Sequence, residues 1–170
     1  SHVLRGEDLI SATPRQMHIY QSLSWPLPEF AHIPLILGPD RSKMSKRHGA
    51  TSLSEYRERG YLSEAVVNFI ALLGWSPGDD REILSRQEMI EAFSLEGIGK
   101  SGAVFDIEKL NWMNGTYLRK LSPETFVSAA RPFLENAGLL AQDLSDDYVS
   151  AVIQLEQERA RTLQEIPELT

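Results

Sequence analysis

At 170 residues, 42% of them hydrophobic, the chain is long enough to bury a core in one or two small domains. It contains no cysteine, which excludes disulfides and thiolate zinc sites within it, and no apolar run approaches the ~20 residues of a membrane-spanning helix. The net charge of -7 argues against a broadly basic nucleic-acid surface, yet the charge is uneven: residues 1–50 carry 6 Lys and Arg against 4 Asp and Glu, and residues 121–170 carry 3 against 9.

His2-Val3-Leu4 reads as a short strand, followed by the polar loop Arg5-Gly6-Glu7-Asp8. Thr13-Pro14 predicts a helix start with Thr13 as N-cap, and Met17, Ile19, Tyr20 and Leu23 fall on and beside one face. Trp25-Pro26-Leu27-Pro28 ends that helix. His32 to Leu37 reads as a buried strand, demoted towards an edge by Pro34. After the breaker Gly38-Pro39, residues 41–47 place four cations (Arg41, Lys43, Lys46, Arg47) in seven positions. Ser52 and Glu55 form a capping-box pattern for a helix from Leu53 to Arg59 that Gly60 stops. Ser63 to Leu73 is the strongest helical segment.

Trp75 to Asp80 has turn chemistry. Ser85 with Glu88 opens a helix whose Met89, Ile90 and Phe93 should pack inward. Gly97 to Gly102 is a glycine-rich connection. Asp106 caps a further helix anchored by Leu110, Met113 and Leu118. Ser122-Pro123 restarts a helix after a joint near Leu121, and a last helix is expected from about Asp146 to Glu165. Almost no strand signal follows Leu37.

The cationic loop carries the chemistry. Lys and Arg side chains, a serine and backbone N–H groups suit a phosphate, and the carboxyl end of a strand is where open α/β sheets bind ligands. A lone run of cations is ordinarily a solvated loop; the order Lys43-Met44-Ser45-Lys46 sets this one apart. Gly97 to Gly102, despite Lys100-Ser101, lacks both the spacing and the preceding strand of a phosphate loop. His2, His18, His32 and His48 have no metal-ligand spacing. Trp25, Trp75 and Trp112 sit in apolar contexts and are expected in the core. Arg5 offers a planar fork for a carboxylate, either a substrate's or that of Glu7 or Asp8.

Lys43-Met44-Ser45-Lys46 resembles the second signature of class I aminoacyl-tRNA synthetases. His2 to Asp8, Thr13-Pro14-Arg15-Gln16, His32 to Leu37, Gly60 to Ala65, Leu73-Gly74-Trp75 and Phe105 to Gly115 resemble glutamyl-tRNA synthetases of the bacterial type. The likeness is dense over residues 1–120 and looser over 121–170, where glutaminyl enzymes continue as β-barrels and this chain continues as helices. The resemblance implies a mostly α fold with a small α/β remnant. Residues 1–50 would be the carboxyl-side end of a Rossmann-type catalytic domain, 51–120 a helical stem-contact module, and 121–170 the start of a helical anticodon-binding domain.

It also implies a cytoplasmic, monomeric, ATP-dependent glutamate–tRNA ligase, with L-glutamate and tRNA(Glu) as partners, no membrane, and Mg2+ arriving with ATP. Glutamyl-adenylate forms with release of pyrophosphate, and the glutamyl group then passes to the terminal adenosine of the tRNA. By position, Lys43 and Lys46 are the expected catalytic residues at the ATP phosphates. Leu35, Ile36, Met44, Ser45 and Arg47 complete the nucleotide site, Arg5 faces the glutamate carboxylate, and Asp8 or Glu7 lies on the ATP side. The first signature, of His-Ile-Gly-His type, is absent, so the chain reads as an excised piece that should not catalyse by itself. Two other readings stay open: a paralogue that glutamylates a modified base of tRNA(Asp), which residues 121–170 argue against, and a non-catalytic tRNA- or protein-binding module.

Overall fold

Strands β1 (His2–Gly6) and β2 (Glu29–Ile33) pair in parallel, with Arg5 opposite His32, in a computed structural model that describes residues 1–45, 52–141 and 144–170. A 3-10 helix, Glu7–Ala12, runs directly into α1, Thr13–Ser22, which carries the crossover between them. That continuity changes the expected cap. Ala12 precedes the first helical residue already in the helical region, and the Thr13 hydroxyl is engaged by side chains outside the helix instead. Val3, Arg5, Phe30 and His32 are half-buried on one side of the pair, while His2, Leu4, Glu29, Ala31 and Ile33 are exposed on the other.

The single strand expected over His32 to Leu37 is two strands. Pro34 has no N–H for a ladder and ends β2. The chain resumes as β3, Ile36–Leu37, in a second parallel sheet with β4, Ala103–Val104. At two residues, β4 is too short to show alternation, which is why the sequence beyond Leu37 reads as strandless.

Helices α2 (Leu53–Glu58), α3 (Ser63–Gly74), α4 (Arg86–Ala92) and α5 (Ile107–Arg119) lie close to their expected positions. The reason is local: Ser52 accepts from Glu55 N, Ser85 and Glu88 form a reciprocal capping box, and Asp106 accepts from the amides of Glu108 and Lys109. Phe69, Leu110 and Met113 form a core with Tyr56, Tyr61 and Val66, and Phe105 packs edge-on against Phe69 at 4.9 Å. Met89 is half-buried, but Ile90 and Phe93, expected inside, are exposed; the short α4 packs mainly against α3. Trp75 is buried. Trp25 and Trp112 are 58% and 47% exposed, so the core expectation fails for both. The Gly97–Gly102 stretch is tied down: Ser76 N donates to Gly97 O and Gly99 N to Gly74 O.

A second core joins Leu118 to α6 (Pro123–Asn136), α7 (Asp146–Leu155), a 3-10 turn at Leu163–Glu165 and α8 (Ile166–Leu169). The long last helix expected from Asp146 to Glu165 therefore stops at Leu155. Two residues on, the Gln157 amide donates to the carbonyls of Leu118 and Leu121 at 2.9 and 3.0 Å, so it caps the end of α5 rather than extending α7. Among the described residues no helix is long and apolar enough to cross a membrane.

The two cores share α5 and are tied across it at Asn114 and Gly60. Asn114, fully buried, accepts from Leu62 N at 2.8 Å and donates to Arg161 O at 2.6 Å. Gly60, at φ +77°, accepts from Leu163 N, and a Cβ there would sit 2.6 Å from Leu163 Cβ. Gly60→Ala combines a left-handed backbone with that clash and should destabilise by more than about 2 kcal/mol. Asn114→Ala strands a buried N–H and a buried C=O and should lose a similar ~2–4 kcal/mol. Urea unfolding of each variant measures both.

Candidate active site

The site is built where β1 and β3 end. Beyond Gly6 the first two residues of the 3-10 helix are acidic, and each reaches the segment after β2. Glu7 Oε1 accepts from Leu35 N at 3.2 Å, and Asp8 Oδ2 lies 2.6 Å from Lys43 Nζ. Gly6 makes the second contact possible: a Cβ there would lie 2.6 Å from Asp8 Oδ1, in the space the carboxylate uses.

Lys43 sits on a small hairpin at the end of β3. Gly38 N donates to Ser42 O, Met44 N donates to Ile36 O, and Leu37 and Lys43 form an antiparallel bridge. Asp40 Oδ1 accepts from both Ser42 N and Ser42 Oγ, an Asx-type turn that lets Arg41 take φ +59°. The first half of the cationic loop is thus folded back on its own strand.

A cavity of about 400 Å³ opens beside this hairpin, lined by Gly6, Ile33, Pro34, Leu35, Ile36, Lys43 and Met44. Four residues expected at a nucleotide, Leu35, Ile36, Lys43 and Met44, therefore line one space. Gly6, Ile33 and Pro34 are additions that sequence reasoning missed; Gly6 could have been suspected from its place at a strand end before two acids. Ser45 is exposed at the end of the described loop, and Lys46 and Arg47 lie outside the described residues.

The chemistry of this rim is polar on one edge and apolar on the floor. The Lys43 hydrogen bond, aided by its charge, holds the Asp8 carboxyl below its ordinary value. Both side chains are well exposed, so the pair is a poor source of stability but an accessible cation beside a cavity.

Arg5 is not on this rim. Its guanidinium lies on the α1 side of the sheet, bonded to Gln16 Oε1 at 2.6 Å, Thr13 Oγ1 at 2.7 Å and His32 Nε2 at 3.3 Å. It also lies over the Phe30 ring, 5.2 Å from the centroid. Neither Glu7 nor Asp8 takes it, so the internal salt bridge considered for Arg5 gives way to neutral partners. Thr13 and Gln16, three apart on one helical face, were legible as neighbours; their meeting with Arg5 and His32 depends on strand register and was not.

The model for the family of class I tRNA synthetases (E and Q), catalytic domain, matches residues 1–112. This chain belongs to that family. The glutamate–tRNA ligase of Carboxydothermus hydrogenoformans is 50% identical over 171 residues, which cover 99% of this chain and 36% of that protein. That of Desulforamulus reducens is 56% identical over 147 residues, 86% of this chain and 30% of its own length. The crystal structure of glutamate–tRNA synthetase from Elizabethkingia anophelis superposes with a TM-score of 0.86 at 36% identity, over 99% of this chain and 37% of that one. The chain thus spans about a third of the length of the class I synthetases it matches.

For this class I segment the Asp8–Lys43 contact gives a direct test. Lys43→Met should move the Asp8 titration upward towards an ordinary carboxyl, followed by carboxyl-carbon NMR. Because the folded Asp8 value is the depressed one, the contact's contribution is full above the unfolded value and is lost as pH falls through the folded value. An unmoved Asp8 titration in Lys43→Met would remove Lys43 as its partner.

Proposed function

We propose that the protein carrying this chain is a glutamate–tRNA ligase, which joins L-glutamate to ATP and passes the glutamyl group to the terminal adenosine of tRNA(Glu). The observation that carries the reading is the identity of about half across 99% of the chain to a ligase of that name. That alignment includes residues 121–170, which supports the full ligase over the base-glutamylating paralogue.

In this reading the cavity beside β3 receives the nucleotide. Leu35, Ile36 and Met44 take the adenosine, and Lys43, Ser45, Lys46 and Arg47 take the phosphates. A glutamate carboxylate oxygen attacks the α-phosphorus, the bond to the bridging oxygen breaks, and pyrophosphate leaves. Negative charge builds on that leaving group, so Lys43 and Lys46 act mostly in the transition state. Lys43 exchanges the Asp8 carboxylate for a phosphate oxygen. Mg2+ arrives on the phosphates rather than in a protein cage. Arg5 takes the glutamate carboxylate through its planar fork.

The same reading divides the chain into the end of the catalytic domain (1–50), a module that contacts the tRNA stem (51–120) and the start of the anticodon-binding helices (121–170). The acidic last segment then serves as scaffold. The first signature of the class lies in the remainder of the protein.

In the intact enzyme, Lys46→Ala should lower glutamate-dependent exchange of pyrophosphate into ATP by two or more orders of magnitude, about 3 kcal/mol of transition-state binding. Lys100→Ala should change it little. An unchanged rate in Lys46→Ala would sink the assignment of the loop.

A further inference from the structure

The Arg5 guanidinium is held by three hydrogen bonds and covered on one face. Three of its five N–H donors are committed: Nε to His32, one on Nη1 to Gln16 and one on Nη2 to Thr13. Phe30 covers one face. One N–H on each terminal nitrogen is left over, two donors that a carboxylate can take. The nearest acids in sequence are engaged elsewhere, Glu7 with Leu35 N and Asp8 with Lys43.

Of the three acceptors, only His32 can gain a proton. Its Nε2 faces both the Arg5 Nε–H at 3.3 Å and the Thr13 hydroxyl at 3.1 Å, and accepting the Arg5 N–H requires a lone pair on Nε2, which places the ring proton on Nδ1. A proton on Nε2 would turn that acceptor into a donor and set two cations 3.3 Å apart. The other charged groups on the packed elements do not offset this. Arg15 and His18 are exposed on α1, Glu7 and Asp8 face the Leu35–Lys43 segment, and the His2–Glu29 pair lies at the far end of the two strands.

We infer that His32 is the positioning residue for substrate-carboxylate recognition: its unprotonated Nε2 fixes the rotation of the Arg5 fork and so the direction of its two remaining N–H donors. The identity of the carboxylate as glutamate's rests on the ligase reading.

The test uses the intact enzyme, and follows glutamate-dependent pyrophosphate exchange. His32→Leu should raise KM for glutamate about tenfold while KM for ATP stays within about twofold. His32→Gln, whose side-chain oxygen can accept the same N–H, should recover most of that loss. Equal effects on both substrates, or no recovery in His32→Gln, would overturn the role. Nitrogen-15 NMR of the His32 ring reads the tautomer independently of activity, and a proton on Nε2 at neutral pH would also overturn it. If the ring shows the expected tautomer but exchange in the wild type does not depend on glutamate, the ligase reading and the glutamate role fail together, and the Arg5–His32 contact stands.

Discussion

Everything at the candidate site hangs on the parallel register that sets Arg5 against His32. Side chains alternate along a strand, so this register assigns each residue of β1 and β2 to a face. Arg5, Phe30 and His32 share the α1 face, where Thr13 and Gln16 wait. Ile33, on the opposite face, lines the cavity beside the Lys43 hairpin. A slip by one residue would carry Arg5 away from its acceptors and put Gly6 where no side chain could replace it. One strand pair therefore separates two chemistries, a neutral cradle for a guanidinium on one side and a cation beside an apolar floor on the other.

The second constraint is Pro34. It ends β2, and the chain must leave the first sheet before β3 can pair with β4. The displaced segment is held by Glu7 through Leu35 N, and its hairpin by Asp8 through Lys43. Neither contact is buried, and exposed ion pairs contribute only ~0–1 kcal/mol. That weakness leaves Lys43 able to change partners, as the proposed nucleotide role requires. A buried, fully satisfied pair would resist the exchange.

Much of this was legible residue by residue. Helix starts at Ser52, Ser85, Asp106 and Ser122 depend on a side chain reaching an amide two or three positions away, and such signals survive without any tertiary context. The grouping of Leu35, Ile36, Lys43 and Met44 at one cavity followed from a strand–loop order. What local pattern could not convey was set by partners distant in sequence. β4 exists because Ile36 and Leu37 need a neighbour. α7 stops at Leu155 because the Gln157 amide serves α5. Trp112 lies on a solvent-facing part of α5 although its neighbours Leu110 and Met113 are core. His32, dismissed as a metal ligand, turns out to matter through the residue across the ladder from it.

The join at Gly60 and Asn114 carries a consequence for how the chain acquires its shape. Leu62 and Arg161 meet on one asparagine, and Gly60 meets Leu163, across a separation of about a hundred residues that only late loop closure can bring together. During synthesis the amino-terminal core can assemble around Phe69 and Leu110 while its docking face stays open, until the segment around Leu163 has left the ribosome. Until then a buried-to-be amide on α5 must remain hydrated, so birth order makes this seam dry later than the core around Phe69.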